Sequence, residues 1–386
     1  MSKPILISGA EIVGEDGTLR KGDLLLEKRR IRRIAPRISA RGAHVVRAKG
    51  LVASPGLIDT QLNGGWGFSF SGASAEDTFG VGRRLVEYGV TGYLPTLISL
   101  PREMIRDGLR AIREVAGLAG GAQILGIHLE GPWLAPGRNG AHQLKNLRPA
   151  TLEEFEAHRA EAGGLLRKIT LAPERPGALE VIEAGAKAGV IMAAGHTEAT
   201  AEEFDRAVRA GVRHVTHLFN AMNPIHHRQP SLLNAALVDD RVSTGFIYDR
   251  VHVGALATKL LLRAKPRGKA VLVSDAVLAL GCPSGEMTAD GETYVVSKGT
   301  IRVKGTDTIA GSAQPILYGV RCLVEDLGLP LGEALYLATA APAKLLGLKN
   351  KGVLREGADA DVVLLDRGLE VAMTFVRGEC VHGNHH

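Results

Sequence analysis

GVIMAAGHTEATAEEFDRAVRAGVRHVTHLFN, residues 189–220, holds one structural unit and the start of the next. An apolar run ends in His196, and Thr200 then stands three residues before Glu203, a capping-box spacing that opens a helix. Phe204, Ala207 and Val208 recur at helical spacing, and Gly211 supplies the stop. A second apolar run follows at once and carries His217. Short β-rich runs of this kind belong to a parallel sheet buried on both faces.

The same rhythm extends in both directions, from about Pro55 to Leu346. Upstream lie SAEDTFGVGRRLVEYG (74–89), again with a capping-box start at Ser74 and Asp77, then QILGIHLEG (123–131) and KITLAPE (168–174). Downstream lie TGFIYD (244–249) and AVLVSDA (270–276). Six or more consecutive strand–helix units predict an α/β fold, a (β/α)8 barrel of the TIM type, and not an open doubly wound sheet. Neither a GxGxxG nor a GxxxxGK[ST] segment is present, which argues against dinucleotide or nucleoside triphosphate chemistry.

The two ends have another texture. ILISGAEIV, GDLLLEKRRIRRIAP and AHVVRAKGLVASPG at the start, and VVLLD with VAMTFVRG at the finish, read as short strands broken by turns. The expected organisation is a small β-sandwich built from residues 1–54 plus 347–382, and a barrel domain over 55–346.

The composition of the 386 residues, 45% hydrophobic, 23% charged and 4% aromatic, excludes disorder and coiled coil. A net charge of +6, scattered apart from Lys28–Arg30 and Arg32–Arg33, does not favour nucleic acid but accommodates a small anion. Three cysteines without metal or disulfide spacing suggest a reducing compartment. No signal-peptide pattern and no apolar run of ~18 residues is found, so no membrane association is expected, and the expected location is the cytoplasm. Gly383 to His386 read as a frayed end or tag remnant and are kept out of any site.

Several strands end in a metal-competent or titratable residue: Glu130 after GIHL, His196 after IMAAG, His217 after HVT and Asp275 after VLVS. In a barrel the carboxyl ends of the strands converge on one mouth, so residues far apart in sequence can meet there. Each alone reads most simply as a packed histidine or a helix cap. Together, two imidazoles and a carboxylate with open coordination positions match a catalytic divalent metal rather than a closed structural site. Such an ion polarises a carbonyl and brings the pKa of bound water towards ~7.

PGLIDTQLNGG (55–65), HLEGPWLAPGRNGAHQ (128–143), AAGHTEAT (193–200), THLFNAMNP (216–224), VSDAV (273–277) and IAGS (309–312) resemble the amidohydrolase superfamily. Within it they resemble the N-acetylglucosamine-6-phosphate deacetylase family, over nearly the whole chain. The resemblance implies one divalent metal, zinc first, with iron, manganese or cobalt compatible, held by Glu130, His196 and His217. It implies Asp275 as the catalytic carboxylate, taking a proton from water and delivering it to the leaving nitrogen. His252 would contact substrate and donate to the oxyanion. It also places substrate contacts at Ala141 and His142, at Asn220 and Ala221, at Arg228 for the phosphate, and at Ile309, Ala310 and Gly311. The partner is then a phosphorylated amino sugar, in a homodimer that completes the phosphate pocket.

One departure is informative. Many superfamily members carry His-x-His at the end of the first barrel strand, where this chain has Gln61 and Asn63. Neutral amides bind divalent metals weakly, so these two are expected to contact a water or a weak second site. Of the remaining histidines, His128 should face the barrel interior and His214 should point outward. His226 and His227 read as solvated, and Trp66 and Trp133 as candidates for the mouth. Two other readings remain: an amidohydrolase acting on another N-acyl sugar phosphate or a cyclic amide, and a catalytically silent barrel kept as a scaffold.

Overall fold

The structure, a computed structural model, describes residues 3–289 and 292–383; Asn384, His385 and His386 lie outside the described residues. Eight parallel strands form the barrel: Leu57–Leu62, Val90–Leu97, Ile127–Glu130, Leu166–Leu171, Ile191–Ala194, Val212–Val215, Ser243–Phe246 and Ala270–Leu272. They are numbered here as barrel strands 1 to 8. Closure comes just beyond strand 8, where Leu62 bridges Ala276 in parallel. There Asn63 N–H donates to Ala276 O at 2.7 Å, and Asp275 N–H to Gln61 O at 3.1 Å.

The helices that follow the strands begin and end as their sequences dictate. Helix α1 (Ala75–Leu85) is capped by Ser74, which shares a capping box with Asp77. The helix after strand 5 (Ala201–Ala210) has the same device in Thr200 and Glu203 and stops at Gly211. Such caps satisfy backbone N–H groups that a helix start leaves unpaired, each contributing about 1 kcal/mol. The apolar faces, here Phe204, Ala207 and Val208, pack on the barrel's outer surface in one large core.

Both chain ends contribute to a separate mixed sheet. Its order runs Glu379–His382, Val371–Val376, Val362–Leu365, Val52–Pro55, Ile5–Val13, Leu19–Glu27, Arg30–Ala35, with His44–Arg47 also paired to Ile5–Val13. It has its own apolar core, including Ile7, Leu24, Leu26, Ile31, Val362 and Phe375.

One element was not expected from the sequence. Between strand 8 and the helix Ile316–Leu327, an antiparallel sheet of Gly285–Ala289, Glu292–Ser297, Thr300–Val303 and Ile309–Ser312 stands over the mouth. Its first two strands are exposed or half-buried along most of their length, so no clean apolar–polar alternation marks them in the sequence.

Candidate metal centre and active site

Strand alternation places Asp59 and Gln61, His128 and Glu130, Lys168 and Thr170, and His214 and Thr216 in four inward-facing pairs. A polar layer lies one step below the mouth. Thr96 Oγ1 is 3.1 Å from His128 Nδ1, His128 Nε2 is 2.8 Å from Thr170 Oγ1, and Thr170 Oγ1 is 2.6 Å from Thr216 Oγ1. His128 therefore faces inward as expected. His214 does not point outward: it is fully buried with Nδ1 2.9 Å from Ser243 Oγ, because it shares the inward face with Thr216.

Above this layer the strand ends deliver Glu130, His196, His217 and Asp275. His196, His217 and Asp275 all adopt positive φ, at 48°, 26° and 50°. Such left-handed backbone in a residue with a side chain is strained and persists only where the surroundings enforce it. The surroundings are tight. A Cβ at Gly195 would lie 2.8 Å from Thr170 Cγ2 and 2.9 Å from Thr216 Cβ, so only glycine brings the chain to His196 at this angle.

Three atoms then converge. His217 Nε2 is 2.9 Å from Glu130 Oε1 and 3.0 Å from His196 Nε2, and His196 Nε2 is 3.4 Å from Glu130 Oε1. All three residues are buried. The protons can be assigned: His196 Nδ1 lies 2.9 Å from the carbonyl oxygen of Arg138, which can only accept, so Nδ1 carries the hydrogen and neutral Nε2 is a lone pair. A carboxylate oxygen and two imidazole nitrogens brought this close suit a shared cation, and the donor set fits a divalent metal. Glu130, His142 and His196 also bring ligand atoms within 4.8 Å of one another. The first triangle is the more compact, and Nδ1 of His142 is already committed to Ser99.

Electrostatics agree with that arrangement. Burial opposes the charge on Glu130, but the His196 and His217 imidazoles beside it hold its carboxyl well below the usual range. Burial also opposes charge on His217, while Glu130 pushes it up. Asp275, half-buried at the cavity wall, is raised by burial and by Glu130, against a 2.8 Å hydrogen bond from Asn63 Nδ2.

The two cavity histidines outside the Glu130–His196–His217 triangle differ in polarity. Ser99 N–H donates to His142 Nδ1 at 3.2 Å, so Nδ1 is an acceptor and a neutral His142 carries its hydrogen on Nε2. Burial pushes this ring down to about 3, so it stays neutral. His252 is reversed, with Nδ1 2.8 Å from the Asp249 carboxylate.

A cavity of about 320 Å³ opens over the centre, in the range of small-molecule sites. Its walls bring together Glu130, His196, His217 and Asp275 with Asn63, Ala141 and His142. Asn220, Ala221 and His252 complete one side, and Ile309, Ala310 and Gly311 come from the inserted sheet. Gln61 sits behind, its Nε2 3.0 Å from Glu130 Oε1 and 3.1 Å from Asp275 Oδ1. Arg228 is not brought in: it is exposed on the 224–230 loop, and no Lys or Arg is among the described lining residues. His227 is exposed beside it, and His226 accepts from the N–H of Gln229. Trp133 is buried with its Nε1 donating to Glu154, and Trp66 stacks on Tyr88; neither lines the cavity.

Sequence reasoning missed Ser99, Asp249, Lys168 and Tyr294, the last of which lines the cavity from the inserted strand Glu292–Ser297. Asp249 had a signal, since it follows GFIY as Asp275 follows VLVS. Lys168 had none, because an inward lysine on an apolar strand looks like a solvated one.

Comparison with known proteins places the chain. The amidohydrolase family model matches residues 52–381. The N-acetylglucosamine-6-phosphate deacetylase of Bos taurus is 40% identical over 344 residues, covering 86% of this chain and 84% of that protein. The Bacillus subtilis protein of the same name is 32% identical over 98% of this chain and 97% of its own. An aspartate-to-alanine variant of the Mycobacterium smegmatis deacetylase, solved in complex with N-acetyl-D-glucosamine-6-phosphate, superposes with a TM-score of 0.92 at 34% identity, covering 98% and 100% of the two chains. The chain belongs to the amidohydrolase family, alongside relatives named N-acetylglucosamine-6-phosphate deacetylase.

Proposed function

We propose that the chain hydrolyses the N-acetyl amide of N-acetylglucosamine 6-phosphate to glucosamine 6-phosphate and acetate. The observation that carries this reading is the convergence of Glu130, His196 and His217 on one point beside the separately held Asp275, inside a cavity of small-molecule size. Kinship to deacetylases of that name supports the substrate.

Glu130, His196 and His217 would hold the metal, with zinc the first candidate for a two-histidine, one-carboxylate set and iron, manganese and cobalt following. A divalent ion bound there supplies Lewis acidity towards an amide carbonyl and acidifies water. Asp275 accepts the proton of the attacking water and returns it to the departing nitrogen, a role suited to a carboxyl raised by burial. His142, neutral with hydrogen on Nε2, donates to the oxygen that becomes negative; loss of one such donor costs about 3–4 kcal/mol. His252, expected to donate to the oxyanion, has its Nδ1 turned to Asp249, so its neutral ring offers substrate an acceptor instead, and Asn63 and Gln61 hold Asp275 in place.

The phosphate needs donors that the described cavity walls lack as Lys or Arg. At the 220–221 turn the Asn220 N–H is already given to His217 O, which leaves that of Ala221, and Arg228, exposed on its loop, would serve the cavity of a second copy in a homodimer. Three cysteines unpaired in the structure, and the absence of any described helix long and apolar enough to cross a membrane, support a cytoplasmic setting.

The test is acetate release from N-acetylglucosamine 6-phosphate, with elemental analysis of the purified protein. Equal kcat/KM on phosphorylated and unphosphorylated sugars would remove Arg228 from its role, and no acetate from metal-loaded protein would end the reading.

A further inference from the structure

Asp249 stands just past the end of barrel strand 7 and is buried. Its two carboxylate oxygens do different work. Oδ1 accepts the backbone N–H groups of Val251 at 3.0 Å and His252 at 2.9 Å, which curls the loop around the carboxylate. Oδ2 lies 2.8 Å from His252 Nδ1, and both side chains are only 5% exposed. Burial opposes ionisation of Asp249, but the His252 hydrogen bond and charge hold its carboxyl below the usual value.

An ionised carboxylate has no hydrogen to give. His252 Nδ1 must therefore be the donor in this pair, and Nε2 is the ring nitrogen left for the cavity that His252 lines. In the neutral ring Nε2 is then an acceptor, suited to a substrate hydroxyl; only the imidazolium donates from it. The neutral Nε2–H form, which His142 adopts, is closed to His252.

We propose that Asp249 is a positioning residue of the active site, fixing His252 as an Nδ1–H ring and so setting what its Nε2 offers to substrate. The proposal rests on His252 being a substrate contact, as read above. Second-sphere carboxylates of this kind fix tautomer and ring orientation in other sites.

The backbone donors make the Asp249→Asn variant informative. Val251 and His252 N–H demand an acceptor at the Oδ1 position, which puts the amide nitrogen opposite His252 Nδ1 and reverses the ring to Nε2–H. Nitrogen-15 spectra of histidine-labelled protein should show Nδ1 protonated in the wild type and Nε2 protonated in Asp249→Asn. kcat/KM should fall about 10- to 100-fold in both Asp249→Asn and Asp249→Ala. A wild-type His252 with a bare Nδ1 overturns the proposal without any variant, as does full activity in Asp249→Asn with the tautomer reversed. Should His252→Ala keep full activity while the wild-type spectrum shows Nδ1–H, the substrate-contact reading fails and the orienting role of Asp249 stands.

Discussion

Asn63 Nδ2 donates to Asp275 Oδ1 at 2.8 Å, and this oxygen also receives Gln61 Nε2 at 3.1 Å. Two neutral amides thus occupy one side of the centre. They stabilise the ionised form of Asp275, whereas burial and Glu130 favour the protonated form.

The sign of the pH response follows. A general base works ionised, so kcat/KM should fall as pH drops through the raised pKa of Asp275. Asn63→Ala removes one donor to the ionised form and should move that acid limb to higher pH. An acid limb unmoved in the variant would contradict the assignment. Asp275→Asn should cut kcat by about 10²–10⁴-fold while metal content is retained.

Exchanging the two amides for imidazoles should change stoichiometry. The double variant Gln61→His with Asn63→His faces Asp275 and Glu130 with strong ligands. Elemental analysis should find a second equivalent of divalent metal. A single equivalent would show that the cavity geometry, and not ligand type, limits the count.

Glu130→Gln leaves the triangle two imidazoles and a weak amide ligand. The purified variant should lose bound metal, and a chelator should reproduce the effect in wild-type protein by inactivating it. Metal binds the folded chain, so adding it back at 100 times its Kd should stabilise the wild type by about 2.7 kcal/mol, and Glu130→Gln much less. Urea midpoints with and without metal measure both.

Lys168 is fully buried inside the barrel, and its Nζ has no hydrogen-bond partner among the described residues. Burial pushes its pKa down to about 8, with Glu130, Asp59 and Asp275 opposing. The unfolded lysine keeps its proton to the ordinary value near 10.4, so between the two values the unfolded state binds more protons and stability rises with pH. The full shift corresponds to about 3 kcal/mol. Metal-free wild type should therefore gain stability from pH 8 to 10, a gain that Lys168→Met should lose. Parallel urea curves for both proteins across that range would refute it.

How much of this was legible in the chain depends on the range of the interactions involved. Thr200 with Glu203 and Ser74 with Asp77 are local, and both capping boxes form as their spacing states. The strand–helix rhythm is local too, and eight repeats of it leave few ways to close a sheet. The ends of the strands name Glu130, His196, His217 and Asp275 because a parallel barrel has a single carboxyl mouth. The weakly patterned inserted sheet stayed hidden, since strands exposed or half-buried on both faces carry little apolar periodicity.

Polarity was beyond the sequence. His142 and His252 are the same letter, yet a backbone N–H from Ser99 makes one ring carry its hydrogen on Nε2 and a carboxylate from Asp249 makes the other carry it on Nδ1. The inward turn of His214 and the isolation of Lys168 were likewise settled by packing. Residue identity and spacing determine which chemical groups are available and roughly where they gather. The proton each one holds depends on a neighbour that is distant in sequence or hidden in a turn, and only the folded chain supplies it.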